Sequence, residues 1–282
     1  MPGVVPPLRF AKMHGAGNDF VMLDLRGGRE APDAALRRRL ADRYFGVGCD
    51  QLIAITDPKR PEALAGYLIW NADGSVAGQC GNGARCVAAW LVRDGAARSQ
   101  QFELDSPAGP IRVEALAEGG FRLGMGRPRF DAAAIPLALP GTGPTWQLEG
   151  PGGMVTFSAV SMGNPHAVIE VDSIVSAPVA QLGPWLQAQA CFPQGVNVGF
   201  AQVLARDAVA LRVHERGAGE TLACGSGACA AVVALARLGR IDRRGVRVRL
   251  PGGELVIDWP DDAAEVMMAG PAEFVFEGEF IA

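Results

Sequence analysis

The sequence predicts a mixed α+β chain built from two similar domains with a cleft between them. Three observations lead there. A cysteine-led segment occurs twice, as Cys80-Gly-Asn-Gly-Ala and Cys224-Gly-Ser-Gly-Ala. Polar residues upstream of each copy recur in the same order at nearly the same spacing. Asn18 lies 62 residues before Cys80 and Asn164 lies 60 before Cys224. Gln51 follows Asn18 by 33, as Asn197 follows Asn164, and Asn71 and Glu215 each stand 9 residues ahead of their cysteine. Between these marks run short apolar or alternating stretches bounded by Gly, Pro or Asp, the pattern of strands. Duplication accounts for the four matches together; coincidence accounts for one.

Along the first half, Asp33–Tyr44 reads as a helix and Leu68–Trp70 as a strand. The first cysteine segment runs into a helical pattern over Ala84–Val92, which Gly95 can close in the left-handed conformation. Phe102–Leu104, Ile111–Ala115 and Phe121–Met125 read as strands, and Gly126–Pro128 as the crossover to the second half. Pro140–Gly153 is rich in Pro and Gly and reads as a loop. Strands follow at Val155–Val160, Ala167–Val171, Val209–His214, Val246–Leu250 and Glu254–Ile257, with helices at Val175–Cys191 and Ala228–Leu238. The domains are expected at 1–126 and 127–269.

A length of 282 residues suits two domains. Apolar residues make up 49% and charged residues 20%, a globular balance. A net charge of −4 argues against nucleic acid as a partner. No stretch approaches the roughly 20 apolar residues of a membrane span. Met1–Phe10 lacks the basic-then-apolar pattern of a secretory signal, so the cytoplasm is the expected setting. Lys12 and Lys59 are the only lysines, a bias without a functional account.

The six cysteines include no C-x-x-C pair, which suits a metal poorly. A disulfide framework does not suit a chain of this length without a signal peptide. Reactive thiols or buried, space-filling cysteines remain.

In both halves the cysteine sits in a glycine-rich turn just before a helix. The first helical turn offers outward N–H groups and the positive end of the dipole, which suits a carboxylate. The same field favours thiolate: a free thiol titrates near ~8.5, and a helix N-terminus can lower that to roughly 3.5–7.5. Gly81, Asn82, Gly225 and Ser226 are thus the expected amide cradles, and Cys80 and Cys224 the proton-transfer groups. With two helix ends facing one carboxylate, one thiolate can remove an α-proton while the opposite thiol delivers a proton to the other face. Charge stabilisation by the two helix ends would replace a cofactor, and acid and base need different protonation states.

Phe10-Ala-Lys-Met-His-Gly-Ala-Gly-Asn-Asp-Phe20, Cys80-Gly-Asn-Gly-Ala-Arg-Cys86, Met162-Gly-Asn-Pro-His166, Glu215-Arg-Gly-Ala-Gly-Glu-Thr and Cys224-Gly-Ser-Gly resemble the signature segments of the diaminopimelate epimerases. The resemblance runs from about Leu8 to the C-terminus. It implies two pseudo-symmetric α+β domains, each a mostly antiparallel sheet wrapped around a central helix. It places the active site in the interdomain cleft and returns the C-terminal strand, 270–282, to the first domain. It implies cofactor-free interconversion of LL- and meso-diaminopimelate, on the route to lysine and peptidoglycan, by a cytoplasmic homodimer. Cys80 and Cys224 match the catalytic pair, with Cys224 the base and Cys80 the acid in the LL direction. Asn18, Gln51, Asn71, Asn164, Asn197, Glu215 and Arg216 match substrate contacts. His166 and Glu215 are candidates for tuning the thiols. Arg216 can grip a distal carboxylate through two N–H groups, and Glu215 can pair with an ammonium. The resemblance implies neither metal nor organic cofactor, and a small molecule as the only ligand.

Cys86, Cys229 and Cys191 read as packing residues, His14 as a loop-orienting group and His214 as a strand end. Cys49, in Gly46-Val-Gly-Cys-Asp-Gln, falls near the site or fills space. The competing readings are a proline-racemase-like racemase or a diene isomerase, a non-catalytic binder of zwitterions, and a redox sensor built on a Cys80–Cys224 disulfide.

Overall fold

A computed structural model describes residues 7–78, 80–141 and 143–281. By its internal contacts the chain divides into two compact units. One runs to Leu123 and resumes at Gly270; the other is Gly124–Ala269.

The first unit contains β1 (Leu8–Gly15), β2 (Asn18–Asp24), α1 (Ala34–Ala41), β3 (Gln51–Thr56), β4 (Ala63–Asn71), α2 (Gly81–Arg93), β5 (Gln101–Ser106), β6 (Gly109–Ala115) and β7 (Phe121–Gly124). The second contains β8 (Trp146–Gly150), β9 (Gly153–Ser161), β10 (Pro165–Glu170), α3 (Val179–Gln187), β11 (Asn197–Ala205), β12 (Ala208–Glu215), β13 (Gly219–Thr221), α4 (Gly225–Arg237), β14 (Val246–Leu250), β15 (Gly253–Asp258) and β16 (Met267–Gly270). The last strand, β17 (Glu273–Phe280), pairs antiparallel with β1. The architecture is mixed α+β and dominated by sheet.

The two units repeat one pairing scheme. In the first, β17-β1-β2-β3-β4-β5-β6-β7 lie side by side, antiparallel except for β2–β3 and β4–β5. In the second, the order is β8-β9-β10-β11-β12-β14-β15-β16, antiparallel except for β10–β11 and β12–β14. Each parallel pair needs a crossover, and a helix supplies each one: α1 and α2 in one unit, α3 and α4 in the other. The matched sequence spacings are a strand register. Phe20 lies opposite Gln51, and His166 lies opposite Asn197.

Helices α2 and α4 are central because they are small and apolar nearly all round. In α2 every residue from Gly81 to Ala89 is buried. In α4 all of Gly225–Ala236 except Ser226 is buried, against strands from β9 to β15. Gly95 and Gly239 follow their C-caps at φ +77° and +69°, the left-handed closure read from the sequence.

Element limits differ from the sequence reading for local reasons. The helix expected over Asp33–Tyr44 begins with Asp33 as cap, its Oδ1 accepting from Leu36 N at 2.8 Å. It stops at Ala41 because Asp42 turns extended and its carboxylate accepts from the Tyr44 and Phe45 amides. The helix expected over Val175–Cys191 shortens to Val179–Gln187. Pro178 disfavours helix in the residue before it, and Ala188 closes the other end. Strand β8 lies within the stretch read as a loop. Trp146 anchors it, buried at 8% exposure opposite Phe157. β1, β2, β3, β11, β13 and β16 were not among the strand readings from apolar runs. Cys49 belongs to a core with Val21, Leu23, Leu40 and Leu52, which makes it a packing residue two positions from Gln51.

Candidate active site

The first unit builds a polar chain around Cys80, the N-cap of α2. Its backbone is extended (φ −146°, ψ 110°), and the thiol donates to Asn18 Oδ1 at 3.4 Å. The same oxygen accepts from Asn82 Nδ2 at 3.3 Å, and Asn82 Oδ1 accepts from Arg85 at 2.8 Å. On its other side, Asn18 Nδ2 donates to Asp50 Oδ2 at 2.8 Å. Arg43 joins Asp50 and Asp19 at 2.8 Å each, and Lys12 donates to Asp19 Oδ2. Burial opposes charge on Asp19, yet its hydrogen bonds to Arg43 and Lys12 hold the carboxyl far below the usual range. Gln51 and Asn71 face each other across β3 and β4, with Gln51 Nε2 donating to Asn71 Oδ1 at 3.0 Å.

The second unit repeats the placement with different partners. Cys224 is the N-cap of α4, again extended (φ −123°, ψ 105°). Its thiol donates to Glu215 Oε2 at 3.1 Å, and Glu215 Oε1 accepts from Thr221 Oγ1 at 2.5 Å. Ser226 Oγ lies 3.7 Å from the sulfur and accepts from Asn164 Nδ2 at 3.5 Å. Asn164 Oδ1 is 3.0 Å from His166 Nε2. Asn197 works within the framework: its side chain donates to Pro165 O at 3.1 Å and accepts from the Arg216 amide at 2.9 Å. The Arg216 guanidinium donates to Gln194 O at 2.6 Å. Gly195, at φ +68°, leaves it room, since a Cβ there would lie 2.9 Å from Arg216 Cδ.

Electrostatics at Cys224 run against the field argument from sequence. Burial, then the charge of Glu215 and the hydrogen bond to it, push the thiol well above its ordinary value; Ser226 and the Gly227 amide pull the other way and are outweighed. Cys224 is therefore a thiol, and the helix end does not make it a thiolate. His166 is fully buried, and burial followed by the nearby Arg216 charge lowers it to about 3. It is a neutral imidazole that orients Asn164.

The model of the diaminopimelate epimerases matches residues 10–130 and 158–275, spanning both constellations. The chain belongs to the diaminopimelate epimerase family. It is an isomerase of the epimerase and racemase kind. It is 58% identical to a diaminopimelate epimerase of Xanthomonas campestris pv. campestris, over 97% of this chain and 96% of that one. It is also 58% identical to an O-ureido-serine racemase of Streptomyces lavendulae, with the same coverage of 97% and 96%. Among solved structures, a probable proline racemase from Agrobacterium radiobacter K84 superposes with a TM-score of 0.69 at 16% identity, covering 96% of this chain and 92% of that one. That likeness shows the fold alone.

Within this family member, Asn18 joins Cys80 and Asn82 joins Asn18, and Glu215 and Ser226 join Cys224. Asn164 reaches Ser226, and His166 reaches Asn164. Gly81 and Gly225 open the two helices directly after the thiols. Reading the sequence missed Asp50, Arg43, Lys12 and Arg85 in the first unit, and Thr221 and Gln194 in the second. Lys12, one of two lysines, now has an account as the Asp19 partner. Among the described residues no group of three or more His, Cys, Asp or Glu is arranged to hold a metal, and no helix is long and apolar enough to cross a membrane.

Proposed function

We propose that this chain interconverts LL- and meso-diaminopimelate by two-thiol proton exchange at the α-carbon. The observation that carries it is the pair of matched constellations, each a cysteine at the mouth of a buried helix with its own polar collar, in a chain so similar to named diaminopimelate epimerases. Cys224 serves as base. Its proton is already shared with Glu215 at 3.1 Å. Moving that proton to Glu215 leaves a thiolate beside a neutral carboxyl, which removes the repulsion that disfavours it. The thiolate takes the α-proton, and the Cys80 thiol returns a proton to the opposite face of the same carbon. The Gly81, Asn82, Gly225 and Ser226 amides stabilise the enediolate-like carboxylate that forms in between, with no organic or metal cofactor. Arg216 and the paired amides of Gln51 and Asn71 hold the distal amino-acid end, with Asn164 and Asn197 ordering the second collar.

The same reading carries a cytoplasmic homodimer acting on a small molecule, without nucleic-acid or membrane partners. Its support is the family likeness. A second reading, racemisation of O-ureido-serine, is favoured by the equal identity of that racemase. Incubation with each amino acid in deuterated water, followed by NMR of the α-position, decides between them. Conversion of LL-diaminopimelate to the meso form with deuterium at the inverted centre, abolished in Cys80→Ala and Cys224→Ala, is expected. Exchange confined to O-ureido-serine or proline would reassign the substrate, and binding without exchange would make the protein a zwitterion binder.

A further inference from the structure

We propose that Asp50 and Arg85 are positioning residues that lock the Asn18–Asn82 amide pair, so that Asn18 presents its carbonyl oxygen to Cys80 and keeps that thiol as the proton donor. The donor role rests on the function proposed above; the lock rests on geometry within the first unit.

The argument is one of hydrogen-bond polarity. A side-chain amide can face either way, because its two ends donate and accept. Here both ends of the chain are closed by groups with one option each. Arg85 can only donate, so Asn82 must turn Oδ1 to it, at 2.8 Å. Asn82 Nδ2 is then left to donate to Asn18 Oδ1, at 3.3 Å. An ionised Asp50 can only accept, so Asn18 must turn Nδ2 to it, at 2.8 Å. Both constraints give the same answer for Asn18: its oxygen faces Cys80 Sγ, at 3.4 Å. An oxygen there accepts from S–H and repels a thiolate; a flipped amide would donate to sulfur and favour the thiolate.

Each end of the lock is anchored. Arg85 is fully buried and also donates to Pro271 O at 3.0 Å. Asp50 is held by Arg43 at 2.8 Å and accepts from the Asp19 amide at 3.1 Å. Among the described residues of the second unit no matching lock occurs. By the repeat, Val196 stands where Asp50 does and Cys229 where Arg85 does, both buried and apolar in character. There the thiol meets the Glu215 carboxylate instead. The other titratable groups near Cys80 are Tyr67 of β4 and Cys86 of α2, both pushed up by burial and neutral, with Lys12 of β1, Asp19 of β2 and Arg43 forming the outer charged ring.

The test is the pH dependence of alkylation. Wild-type and Asp50→Asn proteins are treated with iodoacetamide across pH values, and the Cys80 and Cys224 peptides are quantified by mass spectrometry. In Asp50→Asn the acceptor-only group at this end becomes an amide that can also donate, so Asn18 is held only through Asn82 and its flipped form, with Nδ2 toward Cys80, becomes populated. The Cys80 midpoint is expected to fall by about half a pH unit or more, equivalent to roughly threefold faster alkylation near neutrality, with the Cys224 midpoint unmoved. Arg43→Gln, which only loosens the anchor, should move Cys80 the same way by less. An unchanged Cys80 profile in folded variants, or equal shifts at both cysteines, overturns the lock. Deuterium exchange by the wild-type protein runs in parallel. Its absence would overturn the activity and the donor role, whereas the thiol shift reports on the lock alone.

Discussion

Cys224 and Glu215 share one proton across 3.1 Å, with the proton resting on sulfur. Replacing the carboxylate with an amide of the same size separates its charge from its shape. In Glu215→Gln the repulsion that disfavours thiolate is gone while burial remains. The alkylation midpoint of Cys224 should therefore fall, yet stay above that of a free cysteine. Turnover should fall by roughly 10- to 150-fold in kcat/KM, the loss expected for a charge-assisted hydrogen bond of about 1.5–3 kcal/mol. A faster thiol in a slower enzyme distinguishes this role from simple misfolding; unchanged Cys224 reactivity would contradict it.

His166 makes the protein acid-sensitive. Its folded pKa is lowered to about 3 from 6.5, chiefly by burial. Below pH 6.5 the unfolded chain takes up a proton that the folded chain refuses, so stability is lost as pH falls from there toward 3. The slope is at most about 1.4 kcal/mol per pH unit. Urea midpoints between pH 7 and pH 4 should therefore fall more steeply for wild type than for His166→Gln, which can keep an N–H for Asn164. Parallel curves would show that His166 does not carry the effect.

Cys49 acts at the other end of the scale. Burial pushes its thiol up to about 12 from 9.0. Above pH 9 the unfolded chain releases a proton that the folded chain keeps. Stability present below that value is lost as pH rises toward 12, again by at most about 1.4 kcal/mol per pH unit. Cys49→Ala should be less stable at pH 7 because it leaves a small cavity, yet flatter between pH 9 and 11. Equal alkaline slopes in the two proteins would reject the assignment.

These three residues differ in how legible they were. The duplicated spacing located Glu215 because it reports a strand register, and register is copied when a unit is copied; His166 came instead from the Met162-Gly-Asn-Pro-His166 segment that resembles the family's. Reading one half against the other could not find Asp50 or Arg85, since Val196 and Cys229 stand at the matching places. The helix-end field was visible, but the 4% exposure of Cys224 that overrides it depends on strands distant in sequence. β8 hid in a Pro/Gly-rich stretch because its burial rests on two residues, Trp146 and partly buried Leu148. Cys49 shows the converse: a motif neighbour can be pure core.

The second glycine of each repeat tests whether the cysteine turns are shaped by packing or by chemistry. A Cβ on Gly83 would lie 2.4 Å from Ile53 Cδ1 and 3.3 Å from the Phe20 ring. Both are fully buried, so in Gly83→Ala either the Ile53 side chain leaves its rotamer in a filled core or α2 moves away from β2 and β3. Overpacking of this kind costs about 1–3 kcal/mol. A Cβ on Gly227 would lie 3.1 Å from Val213 Cγ2 and 3.2 Å from Cys224 Sγ. A shift of a few tenths of an ångström relieves that, and the movable partner is the thiol itself. Gly227→Ala should therefore unfold at nearly the wild-type urea concentration while losing turnover, because a displaced sulfur spoils proton transfer. Gly83→Ala should lose stability first. Equal stability losses in the two variants would mean that α4 is packed as tightly as α2 and that its glycine is there for space, not for the placement of Cys224.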